Sequence, residues 1–85
     1  MRPEQARAAV RTCLQAVRPD LDLERVSDDA PLLEWRIITS FQVVELLLHL
    51  EHAAGARIER ARLVPGSFRD VATIARSFLQ ERAGE

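Results

Sequence analysis

From Thr39 to Gly55 the sequence carries a start signal, a nearly unbroken apolar run and a stop signal, and this segment limits what the chain can fold into. Thr39 followed three residues later by Gln42 has the form of a capping box. Ser40 is the other residue able to cap, and either choice puts Ser40 in the first helical turn. Along Phe41–Ala54 the polar residues Gln42, Glu45, His49 and His52 recur at helical spacing. They predict a narrow solvent stripe on an otherwise apolar helix, the composition of a central helix packed by several neighbours. Gly55 then supplies a C-terminal cap.

The partners of that helix are legible on either side. Ala6, Val10, Cys13, Leu14 and Val17 repeat along one face of a helix from Pro3 to about Val17. Pro3 is tolerated at its start, where a missing N–H has no consequence, and Pro19 ends it by disfavouring helical geometry at Arg18. Cys13 lies on the apolar stripe and reads as a core residue. From Pro19 to about Ile38 no helical period persists, and Ser27-Asp28-Asp29-Ala30-Pro31 is turn chemistry. So long a connection must be pinned by its own apolar residues. Leu21, Leu23, Val26, Leu32 and Leu33 are expected to pin it, and Trp35 is expected to pack against the loop, the alternative being that it flanks whatever Ser40 carries.

Ile58 to Leu63 predicts a single helical turn. After the Pro65-Gly66 turn, Ser67 and Asp70 form a second capping-box pattern, with Phe68, Val71, Ile74, Ala75 and Phe78 on one face of a last helix. Nothing reads as a strand. The expected fold is all-α: a small four-helix bundle, three main helices plus one short one, with a long first loop.

Size and charge narrow the function. An 85-residue chain makes a single domain, residues 1–85, with one modest core and little surface from which to enclose an active site. No apolar stretch approaches the roughly 20 residues of a spanning helix, and the first residues show no secretory pattern. The expectation is a cytoplasmic monomer with no membrane partner. Cys13 is the sole cysteine, so an internal disulfide is excluded. Residues 1–19 carry a net charge of +3, residues 20–51 one of −6 and residues 57–85 one of +2. The acidic centre suits association with a basic surface, and suits a solubilising loop equally well. The pI of about 6.1 argues against phosphate affinity, so no nucleic-acid partner is expected. His49 and His52 lack an evident third ligand, and no metal is expected.

Three blocks of the sequence together resemble the acyl carrier protein family. They are Asp29-Ala30-Pro31-Leu32-Leu33-Glu34, the run Ile37-Ile38-Thr39-Ser40-Phe41-Gln42-Val43-Val44-Glu45-Leu46, and Pro65-Gly66-Ser67-Phe68-Arg69-Asp70-Val71. The resemblance spans about Asp28 to Leu79 and is weaker in the first helix. It implies that the chain is no enzyme but a free-standing carrier whose Ser40 bears a covalent 4'-phosphopantetheine arm. A phosphopantetheinyl transferase would install the arm. An adenylating acyl or aminoacyl ligase, or a ketosynthase or acyltransferase, would then use the thioesters held on its thiol. A serine in this role needs no activating base of its own.

The resemblance also implies that Thr39, Phe41, Gln42, Glu45, Leu48 and Glu51 meet partner enzymes, with Phe41 exposed. Thr39 stands where the family usually has an acid, Phe41 where it has leucine, and Gln42 and His52 where many relatives carry acids. The recognition helix is therefore less acidic than in carriers of fatty-acid synthesis, which points to a dedicated pathway such as polyketide or other secondary-metabolite biosynthesis. The alternative is an interaction module that keeps the carrier fold without the prosthetic group.

Overall fold

The computed structural model describes residues 2–58 and 66–79. Among them are three α-helices, one 3-10 turn at Leu23–Arg25 in the long connection, and no strand: α1 (Pro3–Val17), α2 (Ser40–Ala54) and α3 (Val71–Ile74), the last continued by a π-helical turn over Ala75–Leu79. The described residues are all-α, as expected. The expected short helix at Ile58–Leu63 falls largely on residues outside the described ones.

α1 buries the stripe read from the sequence, Ala6, Val10, Cys13, Leu14 and Val17. Its face meets α2 through Leu46 and Leu50, and meets the last helix through Val71, Ile74, Ala75, Phe78 and Leu79, all buried in one cluster. Phe68 and Phe78 pack together within this core, their ring centroids 5.2 Å apart at a tilt of 33°.

The last helix begins later than its sequence suggests. Gly66 has φ 92°, and the Arg69 N–H donates to the Gly66 carbonyl at 3.2 Å, so residues 66–69 form a turn. Asp70, not Ser67, is the cap: its backbone is extended, and its carboxylate accepts the Thr73 N–H at 2.7 Å. Ser67 is buried in the turn instead.

The long connection is held by both apolar and polar contacts. Val26, Ala30, Leu32 and Ile38 are buried, while Leu21 and Leu23 pack partly against the core. Leu33, expected to be a further anchor, is exposed, because the turn that buries Leu32 directs its neighbour outward. Polar side chains of α1 supply the rest. Arg11 donates to the Leu23 carbonyl at 3.1 Å and to Asp28 at 2.6 Å, and Arg7 pairs with Asp28 at 3.2 Å. The Gln15 side-chain amide donates to the carbonyls of Arg18, Pro19 and Leu21 at 3.1, 2.9 and 3.1 Å. Arg18 reaches the Ile37 carbonyl at 2.6 Å and holds the Asp20 carboxyl below its ordinary pKa through a hydrogen bond.

Two chain reversals share one hydrogen-bond pattern. At the end of α2 the Ala56 N–H donates to Glu51 and the Gly55 N–H to His52, with Gly55 left-handed at φ 71°. In the loop, the Ile37 N–H donates to Leu32 at 2.8 Å and the Arg36 N–H to Leu33 at 3.1 Å. Both are Schellman closures, and both need a left-handed residue at the same place. In the second that residue is Arg36, at φ 56°.

Arg36→Gly should therefore raise stability by about 1 kcal/mol, read as a higher urea midpoint at unchanged m-value, because a side chain at that φ is strained and glycine is not. Burial pushes the Cys13 thiol pKa up. A thiol-reactive disulfide reagent should label Cys13 slowly in the native protein and rapidly in denaturant. The same shift makes native stability fall as pH rises through and beyond the thiol's ordinary range, since the unfolded chain ionises first.

Candidate functional site

α2 starts where two side chains of the chain itself complete its cap. The Thr39 hydroxyl oxygen accepts the Gln42 N–H at 3.2 Å, and the Gln42 side-chain carbonyl accepts the Thr39 N–H at 2.9 Å. The Val43 N–H is bound by the Thr39 carbonyl at 3.2 Å. The capping box is thus built by Thr39 and Gln42 alone, and Ser40 takes no part in it.

Ser40 is the first residue of α2 and is exposed. Among the described residues its hydroxyl makes no hydrogen bond. The amides of Ser40 and Phe41 face the open end of the helix, where the macrodipole is positive. No acidic residue lies in the first turn of α2 to oppose an arriving anion. A phosphate ester on Ser40 would find both donors and a favourable field there.

Ser40 is held in place from three directions. Leu32 is fully buried; its N–H donates to the Arg69 carbonyl at 2.8 Å, and its carbonyl accepts the N–H groups of Ile37 and Ile38. Ile38 is itself buried, two residues before Ser40. The Arg18 guanidinium, from the end of α1, fixes the Ile37 carbonyl. Beside this junction Pro31, Leu33, Glu34 and Arg69 line an open groove of about 260 Å³.

The surface beyond Ser40 is apolar to a degree the sequence pattern understates. Phe41 is 78% exposed, Val44 61% and Leu48 62%, three positions that share one side of α2. The narrow polar stripe expected on this helix is therefore too narrow. Only Leu46 and Leu50 are buried, with Val43 and Leu47 partly so, because α1 and the last helix meet α2 along one side. Trp35, expected to pack, is 64% exposed. Its N–H is bound to the Pro31 carbonyl at 3.0 Å while the turn carries its ring outward.

The remaining residues expected at a partner face divide between two roles. Glu45 is exposed. Gln42 is occupied by the cap, and Glu51 accepts the Ile58 N–H at 2.8 Å, fastening the chain that leaves α2. Val44 was not among the residues expected at that face. Val44 lies three residues after Phe41 and four before Leu48, a spacing that reveals it once one face of α2 is known to be open.

The two adjacent hydroxyls should separate in stability. Thr39→Ala should cost about 1 kcal/mol in urea unfolding, while Ser40→Ala should stay within about 0.5 kcal/mol of the parent. Compared with protein-family models, curated proteins and solved structures, the chain matches none.

Proposed function

We propose that this chain is a carrier protein of the acyl-carrier type, a small four-helix bundle whose Ser40 is the attachment point for 4'-phosphopantetheine. The observation that carries the reading is the division of labour at the start of α2. A serine near the start of a helix often serves as its cap, but here Thr39 and Gln42 do so and Ser40 lies one residue inside the helix. Ser40 is left exposed, with its hydroxyl unengaged, on a rigid junction of loop and helix.

The chemistry asked of the chain is small. The Ser40 oxygen forms a bond to the phosphorus of coenzyme A's pantetheine phosphate, adenosine bisphosphate leaves, and the transferase takes the hydroxyl proton. Once attached, the arm's thiol holds acyl or aminoacyl groups as thioesters for successive enzymes. The chain's own contribution is to present Ser40 in open solvent beside unbound amides and to offer Phe41, Glu45 and Leu48 as a contact face. Thr39 and Gln42 keep that face in register, and Glu51 secures the far end of α2. The chain is then a substrate and scaffold for a phosphopantetheinyl transferase and for ligases, ketosynthases or acyltransferases, most in keeping with a dedicated secondary-metabolite pathway in the cytoplasm.

A second reading draws on the exposed Phe41, Val44 and Leu48, which would serve a plain interaction module equally well. Mass spectrometry separates the two. Incubation with coenzyme A and a broad-specificity phosphopantetheinyl transferase should add one phosphopantetheinyl group to the chain and none to Ser40→Ala. A folded chain that gains no mass with any transferase tried would leave the interaction module as the better description.

A further inference from the structure

The groove beside Ser40 takes its walls from two segments of the chain, and both are fixed before anything binds. Pro31, Leu33 and Glu34 form one side and Arg69 the other, around about 260 Å³. Between Pro31 and Leu33, the Leu32 N–H donates to the Arg69 carbonyl at 2.8 Å and fastens the two sides together. The Pro31 carbonyl is held in turn by the Trp35 N–H at 3.0 Å. A groove set in this way loses little freedom when it is filled.

Its lining is of mixed chemistry. Pro31 and Leu33 are apolar, Glu34 only accepts hydrogen bonds and Arg69 only donates them. Neither charge is spent elsewhere: among the described residues the Glu34 side chain has no partner, and the Arg69 guanidinium has only Asp70, at 3.8 Å.

We propose that this groove receives the pantetheine arm carried on Ser40, with Arg69 donating to the arm's amide carbonyls and Glu34 accepting its amide N–H groups. The inference deepens the carrier reading and rests on it. The arm has a pair of methyl groups and two amides, so it asks for apolar contact together with a donor and an acceptor, the set that the groove supplies. The exposed line of Phe41, Val44 and Leu48 offers apolar contact alone.

Covalent geometry brings the groove within reach. The Ile38 N–H lies 3.2 Å from the Leu32 carbonyl, one residue before Leu33, and Ser40 is two residues beyond Ile38. Even with every step stretched, the Cα atoms of Leu33 and Ser40 are within about 18 Å of each other. The arm has the backbone length of nearly five extended residues, about 17 Å, to which the serine side chain adds. Tethering on so short a leash sets an effective concentration in the millimolar range, so contacts too weak to hold free pantetheine suffice.

The test loads the chain to completion with coenzyme A and a transferase, then compares loaded and unloaded chains by nitrogen-15 NMR. The amides of Leu33, Glu34 and Arg69 should shift on loading, and Overhauser contacts should join the arm's methyl protons to Pro31 or Leu33. Arg69→Ala and Leu33→Ser change exposed side chains and should melt with the parent. Each should lose those contacts, leaving shifts only at residues flanking Ser40, while Arg69→Lys should keep part of them. Shifts confined to the flanks of Ser40 in the parent, or contacts that survive both substitutions, overturn the inference and leave the carrier reading intact. Contacts that appear only when the thiol bears an octanoyl group assign the groove to the cargo and overturn it too. A chain that no transferase loads overturns the carrier reading, and titration of that chain with millimolar free pantetheine then decides the groove separately. Shifts at Leu33, Glu34 and Arg69 that Arg69→Ala removes sustain it, and their absence overturns it.

Discussion

One residue, Leu32, connects everything that positions the candidate site. Its side chain fills the core, its N–H binds the turn that precedes the last helix, and its carbonyl gathers the two amides that lead into α2. The loop, the start of α2 and the approach to α3 are therefore one mechanical unit. A second backbone tie, from the Ala72 N–H to the Asp28 carbonyl at 2.9 Å, links an earlier point of the loop to the first turn of α3. Without these bonds a connection of this length would be free to wander, and a serine at its end would have no fixed address.

Around that unit, the start of α2 separates two tasks that a single serine often combines. Thr39 satisfies the helix, and Ser40 is relieved of structural duty. The separation matters because a capping hydroxyl that was modified would release the amides it served. Here the helix keeps its cap whatever happens at the next residue. The exposed ridge of Phe41, Val44 and Leu48 extends from this same end, so the apolar face and the open hydroxyl share one approach.

Much of this was legible in the sequence, and what was not has identifiable causes. The α1 stripe, the Thr39–Gln42 box and the Gly55 stop are all periodic or local signals, and periodic and local signals survive translation into structure. Ser67 misled because Ser-x-x-Asp also fits a turn followed by an Asp cap, and only the left-handed Gly66 decides between them. α2 misled because composition says how apolar a helix is and not how many neighbours arrive to cover it. Trp35 and Leu33 were misplaced because the direction of a side chain in a turn depends on a backbone angle, at Arg36, that no residue-type preference announces. The arginine and glutamine clamps from α1 are long-range pairings of polar groups, invisible to any reading that proceeds along the chain.

Gln15 shows how far such a clamp reaches. Its one amide group faces three carbonyl oxygens at the point where α1 gives way to the loop, and it is there only as a donor. Hydrolysis of that amide, a slow form of chemical ageing, would put a negative oxygen among three acceptors and turn attraction into repulsion. The damage would begin on the first helix and be felt through Arg18 and Ile37 at the serine. Exchange of one nitrogen for oxygen, a change of a single mass unit on the first helix, would age the site itself.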